Sequence, residues 1–278
     1  MKVCAGDHAP WAWLRRILLK VDVGLGRCGV RPDSEEAVRF AENIAGLAGI
    51  DFRGILTHAG QVYSAEGRGK SERLARVKDI SRLERDEMLR FAYRLVKSGI
   101  AVKEISIGST PTAWNFEQFP LISEMGTLSI TEIRPGNYVF HDRNQVNLGV
   151  AAPEQCALTV LATVVSRPAP DRVILDAGSK TISKESGAHG YGAVEGYGEL
   201  FSCDPGRSPV AGAGPVFGLS EEHDWVRVSP ECPLQVGDVV QVLPNHACAA
   251  VNLSDFLLIA ENGIVVDCWP IDARGKSQ

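Results

Sequence analysis

The stretch that most constrains this chain is ILLKVDVGLGRCGVRPD, from Ile17 to Asp33. An apolar, β-prone run leads into Gly24-Leu25-Gly26-Arg27-Cys28-Gly29, the glycine spacing of a dinucleotide-binding loop. Such a loop grips a pyrophosphate only if a helix opens inside it and an acid follows about 20 residues on, at the end of the next strand. Neither condition is met. Pro32 follows the glycines, Asp33 or Ser34 suits a helix N-cap, and Glu35 and Glu36 suit a first turn. Apolar residues at helical spacing (Val38, Ala41, Ile44, Ala45, Ala48) start only there. The next strand, FRGILTHAG, carries no acid at its end. The segment therefore reads as a strand, a glycine loop that delivers Arg27, and a later helix.

The alternation continues. A long helix is expected from about Ser71 to Ser98, then a strand VKEISIG, a turn STPTAW and a strand TLSITEIRPG. Strands alternating with helices predict a parallel sheet with crossover helices, an α/β architecture. The second half changes character. LTVLATVVSRP, RVILDAGS, WVRVS, DVVQVLP, FLLIA and IVVDCWPI are short β-prone runs, separated by turn pairs such as Pro170-Asp171 and Asn262-Gly263. We read an α/β part over 1–150 and a mostly antiparallel β part over 151–278.

The chain's net charge of −5 and its lack of a Lys/Arg run argue against nucleic acid or a membrane surface as partner. No apolar stretch reaches the ~18 residues of a membrane span. The N-terminus has no continuous apolar region and does not read as a signal peptide. The seven cysteines are scattered, with no C-x-x-C, which points to free thiols in a reducing cytoplasm.

Candidate chemistry falls at predicted strand ends. Arg27, His58, Ser109, Thr110, Arg134 and Asn137 each follow a strand, the edge where parallel sheets bind ligands. GSTPT could hold a phosphate at a helix N-terminus or simply cap that helix; the two readings are compatible. In LPNHACAAVNL, His246 and Cys248 are two apart, and in an extended segment both would face one side. Two donors alone do not define a metal site, and a hydrogen-bonded His beside a buried Cys is the commoner outcome.

Together, VDVGLGRCGV, GILTHAG, SIGSTPT, TEIRPGNYVFHD, LATVVSRP, ILDAGSKTIS, GLSEEH, PNHAC and IDARGK resemble, in order, the D-threonine aldolase/D-serine dehydratase family. These are pyridoxal-phosphate (PLP) enzymes of the alanine racemase fold type. The resemblance runs from Ile17 to Lys276. It implies a PLP-binding (β/α) barrel followed by a β domain, in a homodimer, acting on a D-β-hydroxy amino acid by dehydration or aldol cleavage. Arg27 would approach the cofactor's phenolic oxygen and His58 its ring. Ser109, Thr110, Gly136 and Asn137 would surround the phosphate, with Tyr138 close by. His246 and Cys248 would hold a divalent metal, zinc rather than a harder ion because one ligand is a thiolate. The His-x-Cys pair leans toward dehydratase and disfavours an amino-acid racemase.

This sequence departs from the family in two places. Asp224 stands where the family more often has Gly. The lysine that forms the Schiff base lies far N-terminal in the family, and neither Lys20 nor Lys180 stands in its motif. The barrel is accordingly expected to be incomplete at its N-terminal side. A lyase represented by an N-terminally shortened chain and a non-catalytic remnant of the family are the two readings this leaves.

Overall fold

The computed structural model describes residues 14–116, 128–190, 194–204 and 207–276. Cys4 and the N-terminal segment judged not to be a signal peptide lie outside them. The chain divides into two compact units: 1–62 with 77–135, and 63–76 with 136–278.

The first unit holds a four-stranded parallel sheet, in the order β1 (Arg15–Lys20), β2 (Ile50–Leu56), β3 (Glu104–Ile107), β4 (Glu132–Ile133). Helix α1 (Glu35–Ala45) crosses from β1 to β2, and the long α2 (Lys70–Lys97) precedes β3. Ser34 is the N-cap of α1, its hydroxyl accepting from the Ala37 amide at 3.1 Å. Such a cap contributes about 1 kcal/mol. Ile55, Met88, Phe91, Leu95, Ile105 and Ile107 are fully buried where the helices cover the sheet. Each such side chain stabilises the unit by about 1.5–3 kcal/mol through removal from water.

The glycine loop after β1 folds on itself. Val30 pairs with Val21 in a parallel bridge, and Gly24, Gly26 and Gly29 all have positive φ. A Cβ on Gly29 would sit 2.8 Å from the Asp22 backbone nitrogen. The Asp22 carboxylate accepts from the amides of Gly24 and Gly26, both at 3.0 Å. The loop's own aspartate thus takes the amides that a nucleotide phosphate would need, as the sequence expectation of a non-Rossmann loop requires.

Strand β2 contains a bulge. Ile17 pairs with Phe52 but Leu18 with Gly54, so Arg53 is skipped. Gly54 has φ +151, and a Cβ there would meet the Glu104 carbonyl oxygen at 2.0 Å. Only glycine lets β3 approach β2 this closely.

The second unit is built on a six-stranded antiparallel sheet. Its order is β7 (Gly198–Phe201), β10 (Val239–Pro244), β5 (Val160–Ala169), β6 (Arg172–Leu175), β9 (Asp224–Val228), β8 (Ala213–Leu219). Pro170-Asp171 joins β5 to β6. Val164, Val173, Leu175, Val216, Val226 and Val242 form the core of this sheet. A separate hairpin, β11 (Phe256–Glu261) and β12 (Ile264–Pro270), turns at Asn262-Gly263 with both φ positive, the condition of a type I′ turn. The short helices α4 (Arg143–Leu148) and α5 (Ala247–Asn252) also belong to this unit.

The sequence drew its boundary at 150, where strand–helix alternation gives way to strands. Spatially, the chain enters the second unit at Gly136, and Tyr63–Arg76 belong there as well. A change in local periodicity does not report which unit a short helix such as α4 packs with.

Candidate active site

Because the first sheet is parallel, the loops after its strands emerge at one edge. Arg27 follows β1 and is exposed; His58 follows β2 and is half-buried; Ser109 and Thr110 follow β3 and are buried. Gly108 has φ +110, and a Cβ there would lie 3.2 Å from the Arg134 amide. The turn therefore needs glycine to bring Ser109 and Thr110 into the one-turn helix α3 (Thr110–Ala113). The Thr112 hydroxyl accepts from the Ser109 amide at 3.0 Å, so simple capping is present. Arg134, after β4, donates from Nε to the Ser106 hydroxyl at 2.7 Å and from a terminal nitrogen to the Thr57 carbonyl. It ties the ends of β2 and β3 together. Burial, with Arg134 and Arg27 adding to it, pushes the Lys20 ammonium below the ordinary lysine range.

Sequence reading missed Glu84 on this edge. It lies on α2, fully buried, and its carboxylate accepts from the Gly108 amide at 2.8 Å. The signal was available: Val77, Ser81, Met88 and Leu95 mark the buried face of α2, and a glutamate on that face is anomalous.

Gly136, Asn137 and Tyr138 belong to the second unit, with His246 and Cys248. Asn137 is buried, whereas Gly136 and Tyr138 are exposed. Asn137 donates from Nδ2 to Asp142 Oδ2 at 2.7 Å and contacts Cys248 Sγ at 4.0 Å. Its side chain is therefore turned to the His–Cys pair.

The expectation that residues 246–248 are extended is corrected. Strand β10 ends at Pro244, His246 is the N-cap of α5, and Cys248 lies in that helix's first turn. Two causes are visible. The run ACAAV is alanine-rich and favours helix. Asn245 is pinned where the strand stops, its Nδ2 donating to the carbonyls of Gly196, Glu185 and Ser186 while its Oδ1 accepts from Arg143 at 2.7 Å. Because His246 keeps extended φ/ψ as a cap, its ring still reaches the Cys248 thiol and hydrogen-bonds it.

The electrostatics of the pair are reciprocal. His246 and its positive charge hold the Cys248 thiol below the ordinary thiol range against the opposing effect of burial. Burial alone would lower His246, but hydrogen bonding to Cys248 and the nearby Asp142 raise it overall. Cys248 is exposed. His246 Nδ1 and Asn137 Oδ1 are buried with no hydrogen-bond partner. A soft thiolate and an imidazole fit a zinc-like cation as two protein ligands. Among the described residues no group of three or more His, Cys, Asp or Glu surrounds one metal position. Arg27, Ser109 and Thr110 stand after successive strands at the C-terminal edge of the parallel sheet, where ligands of such sheets bind.

Two family models tile the chain: "Alanine racemase, N-terminal domain" over residues 12–144 and "Putative serine dehydratase domain" over 157–260. The D-threonine aldolase of Arthrobacter sp is 35% identical over 268 residues, covering 94% of this chain and 62% of that protein. The D-serine dehydratase of Dictyostelium discoideum is 27% identical over 266 residues, covering 91% and 63%. The solved structure of D-threo-3-hydroxyaspartate dehydratase from Delftia sp. HT23 superposes with a TM-score of 0.75 at 27% identity, covering 92% of this chain and 65% of that one. Of that enzyme, a cysteine-to-alanine variant is known in a metal-free form, and a second variant replaces a histidine two positions earlier. The chain belongs to the D-threonine aldolase/D-serine dehydratase family, whose members are PLP-dependent and share the alanine racemase-like fold. It spans less than two thirds of the length of these relatives.

Proposed function

We propose that this chain carries the cofactor cradle and metal pair of a cytoplasmic D-amino-acid lyase acting on D-β-hydroxy amino acids. The observation that carries this reading is the meeting of an exposed, acidified Cys248 thiol with the His246 ring, two residues away. The relative's paired histidine and cysteine variants, at the same spacing, support it. Within the first unit, Arg27, His58, Ser109 and Thr110 would hold PLP from the edge of the parallel sheet; the family resemblance gives Gly136, Asn137 and Tyr138 of the second unit as further PLP-binding residues. His246 and Cys248 would hold zinc or another divalent ion. Bound PLP supplies an electron sink for charge at the substrate Cα, and the metal a Lewis acid for the β-hydroxyl. The chain's own share is to bind and orient. Arg27 offers a fixed positive charge, Ser109 and Thr110 bring hydroxyls to the same sheet edge, and the thiolate ligand selects a soft ion. Dehydration and aldol cleavage use the same groups. Six described cysteines are free thiols, in keeping with a reducing compartment.

The test is equilibrium dialysis of the 278-residue chain with zinc and with PLP. Stoichiometric zinc binding is expected in the wild type, with affinity sharply reduced but still measurable through the remaining ligand in His246→Ala and in Cys248→Ala. PLP is expected to bind reversibly, leaving no stoichiometric lysine adduct after borohydride reduction. Wild-type zinc affinity in both variants would refute the metal pair. A stoichiometric pyridoxyl-lysine would show that one of this chain's lysines takes the covalent role.

A further inference from the structure

Asp142 accepts three hydrogen bonds in the second unit. It is fully buried. Its Oδ1 accepts from the Gln145 amide at 3.2 Å, capping α4. Its Oδ2 accepts from Asn137 Nδ2 at 2.7 Å and from the Ala247 amide, the first of α5, at 3.0 Å. The same Oδ2 lies 3.5 Å from Nδ1 of His246. One carboxylate therefore sits at the N-termini of two helices and against the ring that pairs with Cys248. Helix capping explains the contacts to Gln145 and Ala247. It does not explain why the His246 ring presents Nδ1, which has no other partner, to the same oxygen.

We propose that Asp142 is a positioning residue for the metal pair: its carboxylate keeps the proton of His246 on Nδ1 and so leaves Nε2 as the metal donor. Three observations converge on this. The carboxylate is not itself free to ligate, because its lone pairs already accept three hydrogen bonds. Among the described residues it completes no three-residue metal group. It is anchored by both helices that frame the pair, so its distance to the ring is set by the fold. A ligand imidazole whose second nitrogen faces a buried carboxylate is fixed in tautomer and orientation, and it becomes a stronger donor. Asn137 joins the arrangement by donating to Asp142 while touching Cys248, which links the carboxylate to both members of the pair. The proposal rests on the metal reading above.

The experiment is a cobalt(II) titration of the full chain, followed by the thiolate-to-cobalt charge-transfer band. It compares the wild type with D142N, D142S, H246A and the double variant D142S/H246A. D142S retains a capping oxygen for α4 but is too short to reach the ring. Affinity is expected to fall about 10–100-fold in D142N and D142S, with the thiolate band kept. The loss should disappear in the H246A background, since the effect runs through that ring. A purely structural Asp142 would weaken both backgrounds alike, and that result overturns the proposal, as does unchanged affinity in D142S. A wild type that binds no cobalt refutes the metal reading itself. Should both Asp142 variants fail to fold, nitrogen-15 spectra of the zinc-loaded wild type decide. The proton on Nδ1 of His246 with Nε2 coordinated supports the proposal, and the opposite tautomer overturns it.

Discussion

The carboxylate of Glu84 accepts a hydrogen bond from the Gly108 amide at 2.8 Å, in the interior of the first unit. Burial lifts its pKa from 4.5 to about 7, against the hydrogen bonds from Gly108, Thr112 and Ala59 that favour the charged form. The folded state therefore binds this proton more tightly than the unfolded one. Its contribution to stability is complete below the unfolded pKa and is lost as pH rises from about 4.5 through about 7. Glu84→Gln is expected to remove that part of the slope in a plot of Tm against pH. Glu84→Ala leaves the Gly108 amide unpaired, for a loss of about 1–3 kcal/mol in urea unfolding. A slope unchanged in Glu84→Gln would disprove the assignment.

Asp224 is a second buried carboxylate, and neither of its oxygens has a satisfactory hydrogen bond. Burial raises its pKa from 3.8 to about 8, and nearby Asp176 adds to the effect. The sign is the same: stability falls as pH climbs between these values. Asp224→Val places a β-branched side chain in β9 and removes the carboxylate. Its Tm should exceed that of the wild type, by most above about pH 8. An equal gain at pH values well below 4 would point to packing alone.

Arg94 on α2 binds the start of α1. It donates to the Pro32 carbonyl at 2.5 Å and the Ser34 carbonyl at 3.1 Å, and pairs with Glu35 at 2.5 Å. Arg94→Met should destabilise the chain by about 1–3 kcal/mol, chiefly through the carbonyls it leaves unpaired. Arg94→Lys, with no fork, should recover only part of the loss. Faster hydrogen exchange at the Ala37 amide would localise the effect to the α1 cap.

The β11–β12 hairpin exposes Phe256, Leu258, Ile264, Val265, Val266 and Trp269, each by more than half. Exposed apolar side chains on a separate hairpin promote association. Concentration-dependent light scattering is expected for the wild type and should drop in the double variant Phe256→Ser/Leu258→Lys. Equal scattering from both would locate the association elsewhere.

Much of this was legible in advance where chemistry is local. The cap at Ser34, the span of α2 and the Asn262-Gly263 turn follow from residue-by-residue propensity, and the structure has them. Placing Arg27, His58, Ser109 and Thr110 at one sheet edge needed only the strand–helix alternation. What sequence could not give was long-range. Helix α5 starts where it does because Asn245 is held by carbonyls 49 to 60 residues away. Asp142 meets His246 across 104 positions of chain, a separation at which no periodicity operates. Glu84 was hidden for a different reason: its helix is so rich in charge that one more acid drew no notice.

The bulge at Gly54 has a consequence for evolvability. Phe52 and Ile55 both reach the core although they are three apart, because the skipped Arg53 shifts the strand's phase between them. The far end of β2, carrying Thr57 and His58, is thus indexed from Gly54 and not from the strand's beginning. At Gly54 the neighbouring chain passes so close that a hydrogen atom is all the space admits. Any larger substituent must push β3 away, and with it the Gly108–Ser109 turn. The spacing between the His58 loop and the Ser109 loop is therefore gauged by a single missing methyl group. Changes that resize this edge must come from the loops, since the strands beneath them have no slack to give.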